Sequence, residues 1–151
     1  MDKVSPNQVA NFFIKFSHEH GDFITNLKLQ KLVYYAQAWH LALHGEPLFD
    51  ADFQAWVHGP VCPALYGAYK SYGWNPISAN PTVCIISDEV IDHLTEVYEV
   101  YGQYSGFQLE QMTHSEAPWI DARGDIQIDE ASTAIISKQS MRDFYSQIAR
   151  D

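Results

Sequence analysis

From Ser71 to Ala122 the chain carries neither lysine nor arginine. The surrounding stretch is rich in acid. Residues 88–130 hold eleven carboxylates against one base, Arg123, and so account for the whole formal net charge of −10. Elsewhere eight acids balance eight bases. Such a surface repels nucleic-acid phosphates and anionic lipid heads, so neither nucleic acid nor membrane is an expected partner. Two readings of it remain: a solvated skin that keeps the protein soluble, or a face that attracts a basic protein patch. Cysteine is nearly absent. Cys62 and Cys84 lack metal-ligand spacing and are too few for a disulfide framework, which points to free thiols in a reducing cytoplasm. Neither a signal peptide nor a membrane span is expected at the start, because Lys3, Asn11 and Lys15 interrupt it. Repeats, low-complexity tracts, a Walker loop and a GxGxxG motif are all missing.

What is present suits a mainly α, single compact domain of six to seven helices with two or three short strands. A chain of 151 residues can bury roughly 70% of its unfolded surface in one core. Ser5-Pro6 predicts a helix start, with Val9, Phe12, Phe13 and Phe16 on one face and Gly21 as the stop. Thr25 or Asn26 caps a longer helix to about His44, ended by Gly45. Apolar residues cover most of its circumference, the pattern of a central, buried helix. Residues 53–58 alternate like a strand, Gly59-Pro60 turns the chain, and 60–70 reads as a third helix. After a loop over 73–81, residues 82–86 suggest another short strand. Ser87 caps a fourth helix whose buried stripe is Val90, Ile91, Leu94, Val97 and Tyr101. Asp92, Glu96 and Glu99 fall on its opposite side. Ser105 caps a short helix through Met112, and Ser115 another through Asp121. Residues 126–128 suggest an edge strand. Ser137 caps the last helix, with Met141, Phe144, Tyr145 and Ile148 inward.

The residues give little reason to expect catalysis or a cofactor. His40 and His44 stand one helical turn apart and so could share a zinc ion. The glutamate of an HExxH motif is absent, since Leu41 follows His40, and no spacing picks a third ligand among His58, His93 and His114. Half-buried or surface histidines are the plainer reading. Cys62 or Cys84 with His58 or His114 would make a nucleophile and base, yet residues 59–62 are not a nucleophile elbow and nothing orients such a pair. Lys31, on the helix read as buried, needs a carboxylate or carbonyl partner.

Three segments stand out: ITNLKLQKLVYYAQAW at 24–39, AWVHGPVCPALYGAYKSYG at 55–73 and YGQYSGFQLEQMTHSEAPWIDAR at 101–123. Together they resemble the Panacea domain, the antitoxin domain shared by SocA-like and phage-associated GepA-like proteins. The resemblance covers nearly the whole chain. It implies a non-enzymatic antitoxin that binds a cognate protein toxin, among whose classes are alarmone synthetase-like and tRNA-modifying enzymes. It also implies an alternative outcome, delivery of the toxin to a ClpXP-type protease. Because the match nearly fills residues 1–151, no separate DNA-binding domain is expected. A small ligand-binding protein or enzyme is the reading from another class. The motif residues His58, His114 and Trp119 either build the fold or line a groove for the partner. Trp56, Trp74, Trp119 and Arg123 are the anchor candidates, since Trp and Arg dominate interfaces. Asp92, Glu96 and Glu99 are candidates for steering a basic toxin.

Overall fold

Ser5 opens the chain's first helix with a reciprocal cap. Its hydroxyl accepts from the Gln8 amide at 3.1 Å, and the Gln8 side chain accepts from the Ser5 amide at 2.8 Å. In a computed structural model, which describes residues 3–81 and 85–150, this helix is α1, Pro6–Glu19. Val9, Ala10, Phe13 and Ile14 are buried. The second helix, α2, spans Asn26–His44 between the Thr25 cap and Gly45, which takes a left-handed φ of 74°. As its composition requires, α2 is buried on nearly every side and touches α1 and most later elements.

The polar residues of α2 are not exceptions to its burial, because each holds a neighbouring segment. Gln30 accepts from the Cys62 amide, Lys31 donates to the Pro60 carbonyl at 3.1 Å, and Gln37 bonds Leu48 and Phe49. Buried groups satisfied in this way cost little and fix one arrangement.

Strand β1, Phe53–Trp56, alternates buried and half-buried side chains. The hairpin differs from the sequence expectation. Val57 and His58 form the turn, and Gly59–Val61 is a second strand, β2, paired antiparallel with β1 (Trp56 opposite Gly59). The third helix, α3, therefore begins at Pro63 rather than Pro60 and runs to Tyr69. Pro60 is tolerated in β2 because that strand lies at the sheet edge. Residues 73–81 form the expected loop, pinned by the Ile77 amide on the Ile24 carbonyl. Residues 82–84, which include Cys84 and most of the suggested second strand, lie outside the described residues, and Ile85 and Ile86 are not in a strand.

Helix α4, Asp88–Tyr101, has the expected Ser87 cap and buried stripe, save that Ile91 is only half-buried. Helix α5, Gly106–His114, carries its own capping box from Ser105 and runs two residues past Met112. Ser115 closes α5 instead of opening the next helix: its hydroxyl donates to the Met112 carbonyl. Helix α6, Ala117–Arg123, follows with Glu116 at its cap position. The edge strand is Ile135–Ile136 (β3), which completes the antiparallel order β2-β1-β3. Residues 126–128 are loop, with Ile126 and Ile128 exposed, because the carbonyls of Gln127 and Glu130 are gathered by the Arg123 guanidinium. Helix α7, Lys138–Arg150, buries Met141 and Tyr145. Phe144 is half-buried, and Ile148 is exposed rather than inward.

Among the described residues, seven α-helices and a three-stranded sheet thus make one mainly α domain around α2. Between α2 and α7 the half-buried Glu116 carboxylate accepts from the hydroxyls of Tyr35 (2.7 Å) and Tyr145 (2.8 Å). Burial pushes its pKa up, and the two hydrogen bonds oppose that rise. Among the described residues no helix is long and apolar enough to cross a membrane.

Candidate functional site

The β1–β2 hairpin projects over the first half of α2, and its turn sets His58 at the rim of a small cleft. Gly59, at φ 99°, lets the chain turn back so closely that a Cβ there would lie 2.5 Å from Lys31 Cε and 2.9 Å from Thr113 Oγ1. The cleft lies between this hairpin, α2, α3 and the loop after α3, and measures about 160 Å³. Leu27, Val61, Trp56 and Tyr66 line it, with Lys31 deepest and Trp74 at the open side. The rings of Trp56 and Tyr66 meet edge-on at 5.0 Å, and those of His58 and Trp74 at 5.5 Å. Trp74 is 69% exposed.

Beneath the hairpin the polar groups are coupled. His58 Nδ1 is 2.8 Å from Glu110 Oε1, and the Thr113 hydroxyl donates to the Glu110 carbonyl. Lys31 is wholly buried, and desolvation lowers its pKa to about 7 while the Glu110 charge partly restores it. Its partner is the Pro60 carbonyl, one of the two kinds that a buried lysine needs.

His114, Trp119 and Arg123 come together on the other side of the hairpin, as its architecture. His114 Nε2 donates to the Val57 carbonyl (2.8 Å), Trp119 Nε1 to that of Trp56 (2.8 Å) and Arg123 Nη1 to that of Ala55 (2.9 Å). A carbonyl can only accept, so His114 holds its proton on Nε2. Burial lowers its pKa, which favours the neutral ring. The Arg123 guanidinium also lies over the Trp119 ring at 4.9 Å. Asp92, Glu96 and Glu99 are exposed on α4 and take no part in the cleft. Glu110, Gln30 and Tyr66 were not legible as site residues. Lys31 carried a signal, a cation on a helix otherwise read as buried.

The arrangement suits recognition better than chemistry. A small-molecule pocket usually measures about 300–1,000 Å³, so this cleft fits a side chain rather than a nucleotide. The Cys62 thiol is buried and desolvation raises its pKa, so it is a poor nucleophile. His40, His44 and His93 do cluster, with His40–His44 ring centroids 4.7 Å apart and His40–His93 5.4 Å apart. His40 donates to the Glu46 carbonyl and His93 to that of Ala36. Among the described residues no set of three ligands is placed to hold a metal ion.

The family described as Antitoxin SocA-like, Panacea domain, matches residues 29–120, which include the floor of the cleft, the hairpin, Trp74 and Trp119. The chain belongs to the Panacea family. Antitoxin SocA of Caulobacter vibrioides (strain NA1000 / CB15N) is 37% identical over 70 residues, 46% of this chain. That aligned stretch spans 37% of the relative's own length. No solved structure matches. The segments at 55–73 and 101–123 meet at the hairpin, which His114, Trp119 and Arg123 hold on one side while the cleft opens on the other.

Proposed function

We propose that this protein is an antitoxin that neutralises a cognate protein toxin by binding it directly through the cleft of Trp56, His58 and Trp74. The observation that carries this reading is Trp74. A large apolar ring stands mostly in solvent beside an apolar cleft, within the stretch that defines the family. Exposed tryptophans next to a pocket are the usual anchors of protein interfaces. The expected toxin is an enzyme of the alarmone synthetase-like or tRNA-modifying kind. Block by occupancy requires no protease, whereas delivery to a ClpXP-type protease does.

The product of the reading frame adjacent to this gene is the probe. Mixed as pure proteins, the two should form a complex and the toxin's activity should fall with no protease present. Trp74→Ala should keep the wild-type melting temperature and weaken the complex roughly thirtyfold or more. Inhibition that appears only with protease would overturn direct block in favour of delivery. Rescue of cells without any complex would overturn binding itself.

A further inference from the structure

A second apolar surface lies on a different part of the molecule, between the C-terminal half of α2 and α4. It is a groove of about 220 Å³. Trp39, Val97 and Tyr101 form its inner wall, and Leu43 and Val100, each 53% exposed, stand at its edges. The Trp39 indole is spent on the Tyr101 hydroxyl at 2.7 Å, so that wall offers a partner little beyond hydrocarbon and ring.

One wall of this groove belongs to an acidic helix. Glu96 lines it, and Asp92 and Glu99 are exposed on the same helix. Among the described residues no lysine or arginine pairs with any of the three. Arg123, the one base of the acidic stretch, is buried and donates to three carbonyls. His93, also in the lining, donates to the Ala36 carbonyl. Burial lowers its pKa, outweighing the pull of Glu96, so it adds no dependable positive charge. Arg142 lies beyond Leu43 in the neighbouring cleft, with Asp143 beside it. Among the described residues these three carboxylates are therefore uncompensated.

We infer that this groove seats a basic amphipathic segment of the toxin, with apolar side chains set between Leu43 and Val100 and lysines or arginines against Asp92, Glu96 and Glu99. The inference rests on the toxin-binding reading and adds a second contact to it. The charge selects the occupant. A second copy of this chain would bring the same acidic rim and a net charge of −10, and nucleic acid or anionic lipid would be repelled outright.

The test uses the purified product of the adjacent reading frame against three forms of the full chain: wild type, Leu43→Ser/Val100→Ser, and Asp92→Lys/Glu96→Lys/Glu99→Lys. All altered side chains are exposed, and melting temperatures check that each form folds. The double variant should dissociate roughly tenfold faster, as loss of apolar anchors acts on residence time. The triple variant should associate more slowly, with a flatter salt dependence. Wild-type kinetics in both variants, with the wild type binding well, would overturn the groove and leave the antitoxin reading standing. Failure of the wild type to bind would overturn both. A wild-type dimer that the double variant abolishes would replace the toxin by a second copy as occupant.

Discussion

The imidazole of His114 lies stacked on the indole of Trp119, ring centroids 4.1 Å apart and planes 22° from parallel. With Arg123 they donate to three consecutive carbonyls, Val57, Trp56 and Ala55. Side chains from the end of α5 and from α6 thus read one strand and its turn residue by residue. The ladder explains why the segments at 55–58 and 113–123 carry unusual residues together: each is half of one joint.

That joint sets the first expectation. Trp119→Ala should cost about 3–5 kcal/mol in urea unfolding, since it removes a buried ring and its stacking partners. Trp119→Phe keeps most of the packing and loses the bond to Trp56, for about 1 kcal/mol. A fully stable Ala variant would show that the ladder does not hold the hairpin.

Acid should weaken the fold through His40, His93 and His114. Burial holds all three below their ordinary pKa. Below about pH 6.5 the unfolded chain therefore takes up protons that the folded chain refuses, and stability falls as pH drops. Glu116 acts oppositely and lower in the range, because its folded pKa is raised. Urea midpoints should fall between about pH 7.5 and about pH 5.5. His93→Gln, whose amide can still donate to Ala36, should flatten that slope.

Lys31 predicts the behaviour at higher pH. Folding lowers its pKa from 10.5 to about 7, so between those values the unfolded chain binds the extra proton and stability rises with pH. The gain is at most about 1.4 kcal/mol per pH unit. Lys31→Met should lose this slope, so the wild type should gain on the variant from about pH 7 to about pH 9. Parallel pH profiles would mean that the amine is charged in the folded protein throughout.

Two glycine substitutions contrast a strained, crowded position with an open helical one. Gly59→Ala should cost about 1–3 kcal/mol, because φ is 99° and the new methyl meets Lys31 and Thr113. Gly67→Ala, on α3 with nothing within 4 Å, should be neutral or stabilise by up to about 1 kcal/mol. Thermal unfolding checks both, and a Gly59→Ala variant as stable as Gly67→Ala would show that the hairpin tolerates a side chain there.

The helices that have both a side-chain cap and a clear apolar stripe were legible in the sequence, and so was the centrality of α2. Local signals failed where a distant group decided the outcome. Residues 126–128 alternate like a strand, but β1 pairs on that side with Ile135–Ile136, and Arg123 draws the 127–130 carbonyls into a loop. Ser115 looks like a cap, yet its hydroxyl turns back onto α5. Pro60 looks like a helix start, while its carbonyl serves Lys31 from an edge strand. In the cleft, Trp56 and Trp74 were visible as a type with a known habit at interfaces, and His58 as a residue of the family resemblance. Glu110 was not, since one acid among eleven carries no mark of being the buried one.

The pairing of β3 with β1 bears on where this protein can be cut. The family match stops at residue 120, yet Arg123, β3 and the whole of α7 lie beyond it. Among the described residues no element packs against α2 more extensively than α7, whose Tyr145 shares the Glu116 carboxylate with Tyr35. A fragment trimmed to the matched boundary would bare one flank of α2 and strip β1 of a neighbour. It would present an open apolar strand edge, the kind that recruits other chains into aggregates. The matched segment is thus shorter than the packed unit around α2.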